Sequence, residues 1–176
     1  MKTAAAAAAL AGASACNSGR SPWRFLRVHE ARTLAAMCDC IIPPDADPGA
    51  EWAQVVNYID VQLCGRFREL RSAYRDGIAT LERTSRKRHD KDFASLAPAE
   101  QTQLLTDLEQ DKADKEIWKT VTARSFFGMV VAHTMQGYYG DPRHGGNRER
   151  ASWKMLGLPY PQVRGRFRGE VPSQKV

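Results

Sequence analysis

The sequence predicts an all-α protein: a single compact domain of about five helices, then a loop rich in glycine and aromatic residues, then a flexible tail. Apolar residues recur at spacings of three and four in five segments, and no alternating apolar–polar run marks a strand. Proline and glycine punctuate the chain where one helix must stop and another start. With 176 residues and 43% hydrophobic content, one core of ordinary size suffices.

The first helix covers His29 to Ile42, with Ala31, Leu34, Ala35, Cys38 and Ile41 on one stripe, and Pro43 and Pro44 end it. Asp45 to Gly49 is a run of turn formers. Asp47 is placed to cap a second helix, with Pro48 at its first position and Glu51 in its first turn. Trp52, Val55, Val56, Ile59 and Leu63 form its inner face, and Gly65 breaks the pattern. A third helix runs from Phe67 to Leu81 through Leu70, Tyr74 and Ile78. The basic stretch Arg83 to Lys91 reads as a solvated connection, because Glu82, Asp90 and Asp92 interrupt or flank it and no nucleic-acid motif accompanies it. Pro98 and Glu100 open a fourth helix bearing Leu104, Leu105 and Leu108. The last spans Lys115 to Gln136, burying Ile117, Trp118, Val121, Phe126, Met129, Val130 and His133. Gly128 within it costs about 1 kcal/mol relative to alanine, which predicts close approach by a neighbouring helix.

The two ends differ in kind from this body, taken as residues 21–161. Residues 1–20 read as an export signal: Lys2, an alanine-rich apolar stretch, then small residues. Ala13-Ser14-Ala15 suits ordinary signal peptidase, while Cys16 opens lipoprotein processing as a second route. The opening MKTAAAAAAL also resembles the end of a twin-arginine signal whose arginines would lie upstream of Met1. Residues 162–176 form a basic tail. The net charge is +6, the pI about 9.3 and the mean hydropathy -0.49, which argue against an integral membrane bundle. In an oxidising compartment, Cys64 is expected to pair with Cys38 or Cys40 around the PPDADPGA turn.

Signals for chemistry are sparse. His29, His89, His133 and His144 are scattered, without the i, i+4 spacing of a metal helix. There is no CxxCH for haem c attachment and no CxxC spacing. Gly145-Gly146 lacks the spacing of a dinucleotide loop. Asp60, beside Tyr58, reads as a structural hydrogen-bond acceptor before it reads as a general base. No catalytic, cofactor-binding or metal-binding residue is assigned. The remaining signal is Gly137 to Asn147, GYYGDPRHGGN, with Trp153 close behind. Glycine and proline there oppose a helix, while Tyr138, Tyr139 and Trp153 carry more aromatic surface than a solvated loop needs. Such a loop either tucks onto its own core or docks on a partner.

These residues resemble a known family, the small (gamma) subunit of membrane-associated, FAD-dependent gluconate 2-dehydrogenases and related sugar dehydrogenases. One block of the resemblance is Gly137 to Asn147, Trp153 and Leu156 to Pro159. The other is Ile41 to Pro44, Asp45, Asp47, Pro48 to Ala50 and Tyr58 to Asp60, so about Val28 to Pro161 is covered. The resemblance implies a non-catalytic subunit that supports folding and twin-arginine co-export of a glucose–methanol–choline type flavoprotein. FAD is then expected in that partner and haem c in a third, multihaem cytochrome subunit. The expected place is periplasmic, peripheral to the inner membrane, held indirectly or by a lipid on Cys16. Tyr138, Tyr139, Gly140, Asp141, Pro142, His144, Gly145, Gly146, Asn147 and Trp153 are the expected partner contacts, with the tail arginines. The alternative is a free-standing secreted or lipid-anchored helical binding module.

Overall fold

The computed structural model describes residues 21–158. The export signal with Cys16, the basic tail and Pro159 lie outside the described residues. Six α-helices and no strand are found among those described: α1 (Val28–Ile41), α2 (Val55–Leu63), α3 (Arg71–His89), α4 (Pro98–Glu109), α5 (Ala123–Tyr139) and the short α6 (Ala151–Met155). α5 touches every other helix, and α1 packs against α2, α3, α4 and α5. Between them lies one core, with Leu34 and Met37, Ile59 and Leu63, Tyr74 and Leu81, Leu104 and Leu108, Phe126 and Val130 buried. The starts of α1, α4 and α5 follow capping chemistry. Glu30 accepts the Arg27 amide at 2.8 Å, Glu100 the Ala97 amide at 2.9 Å, and Thr122 Oγ1 the Ser125 amide at 3.2 Å.

Five element boundaries differ from the sequence expectation; one is the start of α3, at Arg71 rather than Phe67, after a short 3-10 turn over Arg68–Leu70. α2 begins at Val55, not Pro48. Residues 50–54 fold back as turns, since Ala50 N–H reaches Ile42 O at 2.9 Å and Gln54 adopts a left-handed φ of 59°. The Glu51 amide goes to Asp39 of α1 at 2.7 Å and the Asp47 amide to Asp45 at 2.8 Å, and the N-cap of α2 is Gln54, not Asp47. Trp52 consequently faces outward, 40% exposed. α3 continues through the basic run to His89 because its inner face there is small and polar: Thr84 and Ser85 are buried. Outside, Arg86 pairs with Asp92, Lys87 with Asp114, Arg88 with Asp107 and His89 with Glu100. Such exposed pairs each contribute at most about 1 kcal/mol. α5 starts only at Ala123. Asp114 takes the Glu116 amide at 3.0 Å, and Trp118 turns inward to donate its indole N–H to Thr84 Oγ1 at 3.2 Å. At its other end α5 runs through Gly137 to Tyr139, into the stretch expected to be loop.

Two further expectations fail on contact geometry. A Cβ on Gly128 meets nothing within 4 Å, so no helix approaches there; on Gly77 of α3 it would overlap the Phe126 ring of α5. Cys38, Cys40 and Cys64 are free thiols rather than bridged. Cys38 faces Thr134 Oγ1 of α5 at 3.2 Å, and Cys40 faces Gln101 of α4 at 3.6 Å. Cys64 sits at the C-cap of α2. The two thiols of α1 are turned to different helices, neither of them α2.

Buried polar groups pin the segments that apolar packing leaves loose. Asp60, 1% exposed, accepts the amides of Arg24 at 2.7 Å, Phe25 at 3.0 Å and Leu26 at 2.9 Å. This fixes the segment leading into α1. Glu82 of α3 accepts the Thr33 hydroxyl at 2.5 Å and the Phe93 amide at 3.3 Å, joining α1 and α3 to the turn before α4. His133 lies parallel to Phe67 at 4.0 Å, and its Nδ1 is 2.7 Å from the Tyr74 hydroxyl. Burial lowers its pKa below the ordinary value.

Asp60→Asn should lower the unfolding free energy by about 3 kcal/mol, because it removes the charge that three amides address; urea unfolding measures it. The depressed His133 pKa means that the unfolded chain binds this proton more readily than the folded chain. The His133 contribution is therefore present above about pH 6.5 and lost as pH falls below it. His133→Gln should flatten that part of the stability–pH curve, measured by thermal unfolding across pH.

Candidate docking surface

The two sequence blocks singled out above, far apart in the chain, meet where α2 crosses the end of α5. Helix-to-helix distance here is set by glycine. A Cβ on Gly137 would lie 2.9 Å from the Tyr58 ring, and one on Gly146 would overlap the Gly137 carbonyl. Gly145, at φ +99°, occupies backbone space that a side chain strains, and its carbonyl accepts the Asn57 amide at 2.7 Å. Tyr58 donates its hydroxyl to Gln136 Oε1 at 3.1 Å. Tyr138 donates its own to the Pro48 carbonyl at 2.6 Å, tying the proline turn to α5.

Asn147 is the clasp of the C-terminal block. It is fully buried, with a left-handed φ of 45°. Its side-chain amide donates to Gly140 O at 2.8 Å, and its carbonyl oxygen accepts the Ser152 amide at 3.1 Å. Ser152 donates to Tyr138 O at 2.7 Å and Trp153 to Tyr139 O at 2.9 Å, so α6 is laid across the last turn of α5. The Arg148 amide returns to Ala53 O at 3.1 Å, and its guanidinium lies 5.1 Å from the Trp52 ring centre. Asp141 is chelated by Arg143, whose hydrogen bonds hold its carboxyl at about 2, well below the usual carboxylate range.

The ten expected contact residues divide. Tyr138, Gly146 and Asn147 are buried inside the chain, where they are joints between elements. Gly140, Asp141, Pro142, Gly145 and Trp153 are half-buried, while Tyr139 and His144 are exposed. The exposed apolar rim contains residues outside that set: Met135 at 43%, Met155 at 38%, Leu156 at 53% and Leu158 at 52%. Met135 and Tyr139 are i, i+4 neighbours on one face of α5, a spacing visible in the sequence once the helix is extended to Tyr139. Among the described residues no group of three or more His, Cys, Asp or Glu side chains is arranged to hold a metal, and no helix is long and apolar enough to cross a membrane.

The described residues thus form an all-helical body whose motif residues are locked into a helix junction, with Met135, Tyr139, Met155, Leu156 and Leu158 exposed. A family model described as gluconate 2-dehydrogenase subunit 3 matches residues 28–159, most of the chain, and the chain belongs to that family. No curated protein and no solved structure matches it.

Gly146→Ala should cost about 3 kcal/mol, because both sides of the overlap are backbone and neither can rotate away. Gly128→Ala, at an open position in mid-helix, should stabilise by about 0.5 to 1 kcal/mol. Chemical denaturation of the two variants checks the pair.

Proposed function

We propose that this chain is the non-catalytic small subunit of a dehydrogenase complex. In that complex a glucose–methanol–choline type flavoprotein carries FAD and oxidises a sugar or sugar acid, and a multihaem cytochrome c takes the electrons. The small subunit binds the flavoprotein, supports its folding and accompanies it through twin-arginine export to the periplasmic face of the inner membrane. The observation that carries this reading is the junction of α2, α5 and α6. The family's characteristic residues build a rigid platform there, and the platform exposes Tyr139, Met155, Leu156 and Leu158. Contiguous apolar side chains with a polar surround mark protein–protein contacts. Holding them on a preformed platform lowers the ordering cost of association.

The test is co-expression with the flavoprotein and affinity capture of the small subunit, scored by flavin absorbance. The wild-type chain should retain bound flavoprotein. Met155→Glu combined with Leu156→Glu should release it while leaving the unfolding midpoint of the small subunit unchanged, since both side chains already face solvent. Full export and activity of the flavoprotein without this chain would refute the reading, and a stable solitary monomer would then favour the binding module.

A further inference from the structure

The described chain begins at the edge of a groove. Ser21 is its first residue, and the next two, Pro22 and Trp23, line a concavity of about 420 Å³ that also reaches Gln54 and Asn57. A second concavity, also of about 420 Å³, adjoins it through Trp23, Ala35 and Glu51, which line both, and extends to Val28. Together they form one groove along α1. Beside Ala35 it is lined by Ala31, Ala36 and Ala94, which carry only methyl groups, so another stretch of chain can come close to the helix. Val28, at its far end, is 62% exposed. Its charged lining is one base and one acid, Arg32 and Glu51, and the Arg32 guanidinium is turned to Ser95 Oγ at 3.1 Å. Such a groove suits an uncharged occupant with small side chains.

We propose that in the uncleaved chain residues 4–15 lie in this groove, so that the body of the protein covers its own export signal. Those residues are alanine apart from Leu10, Gly12 and Ser14, and none is charged. They are tethered at the right place. Residues 16–20 connect them to Ser21 and can span up to about 17 Å, while α1 from Val28 to Ala36 is only about 12 Å long. A tether this short holds the segment at an effective concentration of order millimolar. A contact too weak to form between separate molecules therefore forms within one. Residues 159–176 are poorer occupants, because Arg164, Arg166, Arg168 and Lys175 would bring four cations to a groove with Glu51 as its one acid. The docking does not depend on the subunit reading above, and it is tested on the isolated chain.

Methyl NMR of the uncleaved, full-length chain reads the contact directly. Leu10→Lys, which puts a charge into residues 4–15, should move the methyl signals of Val28, Ala35, Ala36 and Ala94 and leave that of Ala132 on α5 in place. Those shifts should persist on dilution, since the contact lies within one molecule. Elastase, which cuts beside small apolar residues, gives a second readout. It should cleave residues 4–15 about tenfold faster in Ala35→Arg than in the wild-type chain, because cleavage follows the fraction of time the segment is free. Val28→Glu, at an exposed position, should speed cleavage in the same direction with the unfolding midpoint unchanged, which keeps the test valid if Ala35→Arg fails to fold. Identical methyl signals in wild type and Leu10→Lys would overturn the proposal. So would shifts that vanish on dilution, or equal cleavage rates for wild type and Val28→Glu.

Discussion

Helix α2 lies against the end of α5 at a distance only glycine permits, and the rest of the molecule is arranged around that approach. Tyr58 rests on the backbone of Gly137 and Gly146, so the Tyr58 side chain alone separates the two helices there. From the same short helix, Asn57 holds the glycine loop through Gly145, while Asp60 holds the segment before α1 through three amides. Nine residues therefore tie together the two ends of the described chain. Apolar burial supplies the bulk of the stability, but it is non-directional. The register of the loops comes from these addressed hydrogen bonds.

The polar groups follow a consistent division. On the outer face of α3, paired charges are exposed and individually weak. Inside, Asp60, Glu82, Thr134, Asn147 and Ser152 are buried and satisfied, and among the described residues no buried side-chain nitrogen or oxygen lacks a partner. Removing one partner from such a network costs more than the bond is worth when formed, because the orphaned group keeps its desolvation penalty. Asp60, Glu82 and Thr134 join elements distant in sequence, while Asn147 and Ser152 close the connection between α5 and α6. That makes the junction rigid, and rigidity is what a platform for another protein requires.

Much of this was legible in the sequence. The apolar spacing locates α1, α4 and the core of α3, and the Pro98–Glu100 start appears as read. Three things were hidden, each for a physical reason. The second half of α3 buries threonine and serine, so hydrophobic periodicity fades although the helix continues. The Lys115–Thr122 stretch has helical apolar spacing, but Asp114 and Thr122 offer their side chains to local amides, and the true helix starts after them. Gly137 was read as a helix breaker, whereas it is a helical residue required by the closeness of Tyr58. The same misreading put Tyr138 on the partner side, when its hydroxyl secures the Pro48 turn. The exposed apolar residues at this end were only partly visible, because Met155, Leu156 and Leu158 follow the motif in sequence and come to lie beside α5 only once Asn147 and Ser152 fold α6 back onto it.

A platform of this kind should exist before its partner arrives. Amide hydrogen exchange, measured on the free chain and on the chain bound to the flavoprotein, addresses that claim directly. The account predicts that the amides of Tyr138 and Ser152 are already protected in the free chain, and that binding adds protection chiefly along residues 153–158. Unprotected amides throughout 138–152 in the free chain, ordered only on binding, would contradict it. So would a bound chain whose 153–158 segment exchanges as fast as before.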